Sequence, residues 1–322
     1  MPHFDFPLDQ LVTYRPAEQA PADFDAFWTR TLAESDAFPV DATFVRVEDP
    51  SYVLVDVYDV TYRGYGGQPV KGWFIEPAGN TARLPTLVTF IGYGGGRGLP
   101  VDHLIPAVAG FAHFVMDTRG QGSTWGPGDT PDEAGSGPQT PGFMTRGIGS
   151  PDTYYYRRVF TDAVRAIAAA ASHAHVDAAR IGLTGGSQGG GIAIAAAGLA
   201  KDRVKILMPD VPFLCHFRRA VPMLDTAPYN EISTYCKVHR GSSARVFATL
   251  AYFDGMFFSE RVTARSLYSV GLMDNICPPS TVYAAYNRVT APKEMRVWDY
   301  NNHEGGGPFQ LIERLRFARQ YL

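Results

Sequence analysis

The sequence has little cysteine, no long apolar run and no excess of either charge, and each shortage removes a class of protein. Three cysteines (Cys215, Cys236, Cys277) in 322 residues are sparse and odd in number, which argues against a disulfide framework. No uninterrupted apolar stretch approaches the roughly 20 residues needed to span a bilayer, so no membrane partner is expected. The first residues, Met1-Pro2-His3-Phe4-Asp5-Phe6-Pro7, lack the basic-then-apolar order of a secretory leader. Lysine plus arginine (29) nearly balances aspartate plus glutamate (32), for a net charge of −3, and gives no reason to expect nucleic acid. There is no internal repeat, no low-complexity tract and no phosphate-binding spacing such as G-x-x-x-x-G-K-[ST]. A soluble, cytoplasmic protein fits these absences. At 45% hydrophobic, residues 1–322 are expected to form a single domain.

What is there is an alternation of strand-like and helix-like segments. Residues 1–40 read as a proline-punctuated arm with a helix starting near Pro21-Ala22-Asp23-Phe24, its aromatics spaced to pack on a core. From Thr43 to Glu76 apolar and polar residues alternate, as in Tyr52 to Val60, which predicts early antiparallel strands. Short apolar runs at Thr86–Ile91, Phe111–Asp117, Arg180–Thr184, Val204–Met208, Arg265–Gly271 and Glu294–Trp298 have the character of buried parallel strands. Helices are expected at about Tyr155–His173, after Ser187, at Ser280–Val289 and at Phe309–Tyr321. Two stretches have no clear pattern: a Gly/Pro/Asp-rich loop from Thr118 to about Thr153, and an aromatic insertion over residues 209–260. The alternation predicts an α/β fold, a mostly parallel central sheet with helices on both faces.

The stretch that carries chemistry is Gly185-Gly186-Ser187-Gln188-Gly189-Gly190, between an apolar strand and an alanine-rich helix. This is the G-x-S-x-G nucleophile elbow of the α/β-hydrolase fold. Small neighbours are needed there because the sharp strand-to-helix turn brings backbones close, and the helix start offers free N–H groups. A glycine-rich turn with an idle serine is the competing reading, and the partners decide between the two. In this fold the acid and then the histidine follow the serine, each on a loop after a strand. Asp274 follows one strand and His303 the last, whereas Asp299 sits too close to the end of the same strand as the histidine. The backbone N–H of Gln188 and of Tyr93, in Gly92-Tyr93-Gly94-Gly95-Gly96, are the candidate oxyanion donors. Trp125, Pro228 and Tyr229 are candidate walls of a small acyl pocket, from their place in the two unpatterned segments. No metal or cofactor is expected, since His303-Glu304 lacks a second histidine at position 307 and the cysteines lack ligand spacing. Cys277 reads as a buried small apolar residue.

Several stretches together resemble one family. Arg119-Gly120-Gln121-Gly122, Gly185-Gly186-Ser187-Gln188-Gly189-Gly190 and His303-Glu304 are similar, in that order, to the signature motifs of carbohydrate esterase family seven. Those are the acetyl xylan esterases and cephalosporin C deacetylases of the α/β-hydrolase superfamily. The likeness extends to Tyr154–Asp162, Asp210–Cys215 and Asp274–Val282 and covers essentially the whole chain. It implies the triad Ser187, Asp274 and His303, oxyanion donors at Tyr93 and Gln188, and small acetylated sugars or other acetyl esters as substrates. It also implies a homo-hexamer, and a structural role for Arg119 to Gly122 in holding loops near the site. Another hydrolase of the same fold, or a non-catalytic binding protein, are the alternatives.

Overall fold

A computed structural model describes residues 3–132 and 136–322. Its nine strands are β1 (Thr43–Arg46), β2 (Val55–Arg63), β3 (Pro69–Pro77), β4 (Leu84–Phe90), β5 (Ala112–Met116), β6 (Val176–Gly186), β7 (Ile206–Asp210), β8 (Arg265–Gly271) and β9 (Lys293–Trp298). They form one sheet in the order β1-β2-β3-β5-β4-β6-β7-β8-β9. The first three strands join it antiparallel, and β5-β4-β6-β7-β8-β9 run parallel. The α/β-hydrolase architecture read from the pattern is therefore present, with the early strands antiparallel as expected.

The inner parallel strands are mostly buried on both sides because helices cover both faces. Along β7, Leu207 enters the larger core while Ile206 and Met208 enter a second one, and on β4 the pair Val88 and Leu87 divides the same way. The helices are α1 (Leu8–Leu11), α2 (Phe24–Asp36), α3 (Ile105–Val108), α4 (Tyr155–Ala171), α5 (Gln188–Ala200), α6 (Phe217–Met223), α7 (Asn230–Val238), α8 (Ser243–Leu250), α9 (Gly255–Ser259), α10 (Pro279–Tyr286) and α11 (Gly307–Tyr321). Helices α4 and α5 bury their alanine-rich faces in the larger core, whereas Phe317 and Ala318 of α11 close the second.

The arm is fastened rather than loose. Trp28 of α2 is buried, stacks edge-on against Phe253 and Phe258, and donates from Nε1 to Tyr252 O at 2.9 Å. Asp5 accepts from Arg219 Nη2 at 2.7 Å, and Asn287 Nδ2 donates to the carbonyls of Leu11 and Tyr14. Residues 209–260, unpatterned in sequence, fold beyond β7 into four short helices, α6 to α9. Helices of five to nine residues show too few turns for a 3.6-residue period to emerge, and Pro222 interrupts the pattern within α6. The loop after β5 carries no helix or strand among its described residues.

Candidate active site

Ser187 sits between β6 and α5 with φ 56° and ψ −121°, a backbone conformation that is strained for any residue with a side chain. The strain is held from both sides: Ser187 N–H donates to Asp210 O at 2.9 Å and Ser187 O accepts from Phe213 N at 2.9 Å. The flanking glycines are required by close approach. A Cβ on Gly189 would lie 2.0 Å from Phe90 O, and one on Gly185 would lie 2.4 Å from the carbonyl carbon of Gly189. Helix α5 therefore begins pressed against the end of β4, with Gln188 as its first residue and its N–H among the unpaired donors of the helix start.

Asp274 lies just past β8 and is fully buried. Its Oδ1 accepts from the N–H groups of Ile276 (2.8 Å) and Cys277 (2.9 Å), and its Oδ2 lies 2.8 Å from His303 Nδ1. A carboxylate can only accept, so Nδ1 carries the proton and Nε2 presents a lone pair. The turn bearing His303 is braced in turn: Glu304 accepts from Asn301 Nδ2 and Asn302 N, and Asn302 Oδ1 accepts from Asn275 N. The Asn301 hydrogen bond holds the Glu304 carboxyl below its usual range. Asp299 is exposed on the preceding turn, and it is Asp274 that pairs with the histidine.

Ser187 and His303 line one cavity of about 650 Å³, together with Tyr93, Trp125, Pro228 and Ile276. Among the described residues Tyr93 N–H meets no acceptor, while the N–H groups of Gly94 and Gly95 are bonded to Gln121 Oε1 and Gly92 O. Tyr93 O accepts from Trp125 Nε1 at 2.9 Å, and the Tyr93 hydroxyl donates to Glu231 Oε1 at 2.7 Å. Burial, and then the Glu231 charge, push the Tyr93 phenol far above its usual pKa, so it stays a donor; burial also raises Glu231.

Behind the cavity lies a polar frame. The side chains of Gln188 and Gln121 exchange two hydrogen bonds, Gln121 Nε2 to Gln188 Oε1 at 2.8 Å and Gln188 Nε2 to Gln121 Oε1 at 3.2 Å. Gln121 Oε1 also accepts from Gly94 N at 2.7 Å, Gln188 Nε2 donates to Ile91 O, and Tyr156 OH donates to Gln188 Oε1. Two residues earlier, the buried Arg119 holds Asp162 through Nε and Nη2 and reaches Gln68 through Nη1. The Arg119 to Gly122 segment thus ties its loop to α4 and to the turn bearing Tyr93.

The structure brings together Ser187, Asp274, His303, Tyr93 and Gln188, and it places Trp125 and Pro228 on the cavity wall. Tyr229 is a correction. Although Pro228 faces the cavity, Tyr229 turns into the core as α7 begins, where it is fully buried edge-on against Phe213, with its hydroxyl bonded to the backbone of Cys215. Cys277 is buried beside the Ser187 hydroxyl, and burial pushes its thiol well above the usual range, which makes it a poor nucleophile. Sequence reasoning missed the polar wall of the cavity, Asp210, Gln310 and Arg314. Asp210 accepts from Ser269 Oγ and Gln310 Nε2 and pairs with Arg314 Nε at 3.0 Å; burial raises its pKa and Arg314 opposes that rise. A charged residue ending an apolar strand beside the elbow was the available signal.

Residues 1–321 match the acetyl xylan esterase (AXE1) family. The acetyl xylan esterase from Paenibacillus sp. R4 is 43% identical and superposes with a TM-score of 0.91, covering 98% of this chain and all of that one. Acetyl xylan esterase 1 from Thermoanaerobacterium sp. JW/SL YS485 is 31% identical, with a TM-score of 0.89 over 99% of this chain and all of its own. The acetyl esterase Axe7A of Xylanibacter ruminicola is 27% identical over 299 residues, 90% of this chain, and the chain spans 65% of that relative's length. With the match running the length of the chain and through the elbow, the acid loop and the histidine turn, the protein belongs to the acetyl xylan esterase (AXE1) family.

Proposed function

We propose that the protein is a serine esterase that removes acetyl groups from small O-acetylated substrates, acetylated xylo-oligosaccharides and cephalosporin C among them. The observation that carries this reading is His303, paired at 2.8 Å with the buried Asp274 and opening onto the same cavity as a serine held on a strained elbow. His303 Nε2 takes the Ser187 proton as Oγ attacks the acetyl carbonyl, then gives it to the departing alcohol. Asp274 fixes the imidazole tautomer and stabilises the imidazolium. The N–H groups of Gln188 and Tyr93 receive the oxyanion, and water repeats the sequence on the acetyl-serine to release acetate.

Trp125, Pro228 and Ile276 give the cavity apolar surface, and Asp210 and Arg314 give it polar surface. That mixture suits an acetyl ester of a hydroxylated alcohol. Among the described residues no helix is long and apolar enough to cross a membrane, which is compatible with the cytoplasmic location we propose. A homo-hexamer is part of the same proposal, and light scattering of the purified chain tests it. The decisive experiment is hydrolysis of p-nitrophenyl acetate by Ser187→Ala. Its turnover is expected to fall by roughly 10⁴- to 10⁶-fold, and turnover at the parent's rate would refute the assignment. A series from acetyl to octanoyl esters should lose rate steeply beyond short acyl chains. A panel of acetylated xylo-oligosaccharides, polymeric xylan and cephalosporin C then ranks the substrates.

A further inference from the structure

Far from the elbow, three side chains that the esterase chemistry leaves unused converge. Glu76 is the penultimate residue of β3, and His173 and His175 lie in the turn that joins α4 to β6. Each offers a ligand atom, and these atoms all lie within 4.8 Å of one another. The Glu76 side chain is only 1% exposed, against 31% for His175, so the carboxylate is buried beneath a partly open mouth. His175 Nδ1 lies 2.9 and 3.0 Å from the two Glu76 oxygens.

We propose that Glu76, His173 and His175 form a binding site for a divalent transition-metal ion of the zinc type. Two imidazoles and one carboxylate are the donor set such an ion takes in three-protein-ligand sites, with a fourth position left to solvent. Bonds of roughly 2.0–2.2 Å in a tetrahedron place ligand atoms about 3.3 Å apart. The His175–Glu76 contact is already close to that, and the third atom has at most about an ångström and a half to travel. On binding through Nδ1, His175 carries its ring proton on Nε2, and Glu76 exchanges its hydrogen bond from the imidazole for the ion.

The surroundings orient the ligands as outer-shell partners do. Asn80 Nδ2 donates to Glu76 Oε2 at 3.0 Å and to Ala82 O, which fixes the carboxylate. His173 is boxed by Phe74, Phe44 and Tyr58 at ring-centroid distances of 4.2, 4.7 and 5.6 Å. The carbonyl of His175 accepts from Leu84 N at 2.8 Å, which ties the ligand turn to the start of β4. A bound ion would therefore join β3 to the entry of β6. Ser187 lies beyond the other end of that strand, which runs beside β4 from Leu84 to Phe90, so the two sites are roughly 20 Å or more apart at about 3.3 Å per residue, and the ion would act on stability and leave the acetyl chemistry alone.

The test uses the full chain, stripped with a chelator and titrated with Zn²⁺ by calorimetry, with Co²⁺ absorption reporting the ligand set. Titrations are run in a Cys277→Val background, because Asp274, Cys277 and His303 also place ligand atoms within 4.8 Å of one another. One equivalent should bind, with tetrahedral Co²⁺ bands. His173→Phe, which keeps an aromatic ring in the box, should weaken binding by more than the roughly 10- to 100-fold expected of the outer-shell variant Asn80→Ala. At a free Zn²⁺ concentration 100 times the Kd, the melting temperature should rise by about 4 °C in the Cys277→Val background but not once His173→Phe is added. Unchanged p-nitrophenyl acetate hydrolysis by His173→Phe alone verifies its fold. Equal Zn²⁺ affinity with and without His173→Phe, or no bound equivalent in the Cys277→Val background, overturns the proposal.

Discussion

Replacing Gln121 with alanine is the sharpest test of how the proposed oxyanion hole is held. The side chain is fully buried and takes part in four hydrogen bonds: from Gly94 N, to Tyr155 OH, and two with the Gln188 amide. After truncation the Gln188 side chain keeps Ile91 O and Tyr156 OH, and Tyr155 OH keeps Arg119 O. Only the buried Gly94 N–H is orphaned, at a cost of about 1–3 kcal/mol. Three further net losses of about 0.5–1 kcal/mol each bring the total to roughly 2.5–6 kcal/mol. For a chain this long that is a fall in melting temperature of about 4–9 °C, readable by calorimetry at constant pH. The kinetic signature follows from where Gly94 sits, next to Tyr93. Loosening that turn should lower kcat on p-nitrophenyl acetate by about 10- to 100-fold, short of the 10²- to 10³-fold typical when a donor is removed outright. KM should change little, because the oxyanion exists only beyond the ground state. A variant that melts normally, or one whose KM rises while kcat holds, would refute the argument.

Other consequences can be measured directly. Arg119→Ala strands the Asp162 carboxylate, 1% exposed, with the Tyr65 N–H as its remaining hydrogen-bond donor, and should cost about 3–5 kcal/mol in a denaturant titration. A loss under 1 kcal/mol would show that the pair is not holding the loop. Glu231 has its pKa raised by burial, so its contribution to stability is fully present below the ordinary glutamate value of about 4.3 and is lost as pH rises through the raised one. The melting temperature of Glu231→Gln should therefore gain on the parent as pH rises from about 4 through that range, and parallel curves would contradict the shift. Gly189→Ala should give little folded protein, because its Cβ would lie 2.0 Å from a backbone oxygen that cannot yield. Soluble expression with a normal circular dichroism spectrum would count against that geometry.

How much could be read in advance divides along a physical line. That the elbow, Asp274 and His303 would meet was legible because the fold delivers each on a loop after a strand, and most such strands stand out in sequence. The place of Tyr93 beside them was legible for the same reason, from the glycine-rich loop after β4. Residues whose role depends on direction were not. Pro228 and Tyr229 are neighbours, yet one faces the cavity and the other the core, and only the start of α7 decides which. Asp210, Gln310 and Arg314 converge from β7 and α11, about a hundred residues apart, through a pairing that no local pattern announces. The strand expected from Tyr52 begins only at Val55, and Val53 and Leu54 remain exposed at 76% and 75%, so alternation ran past the point where a partner strand was available.

The order of the strands also sets where failure begins. The proposed nucleophile stands at the end of β6, in the interior of the sheet, while the proposed base hangs from β9, the outermost strand on its side, all six of whose residues are only half-buried. Edges open before interiors do. Warming the protein would therefore first release His303 from Asp274 with the elbow still intact, a reversible loss of activity in a chain that has not unfolded. Anything that covers β9, a neighbouring subunit included, would extend the temperature range of catalysis without strengthening the core.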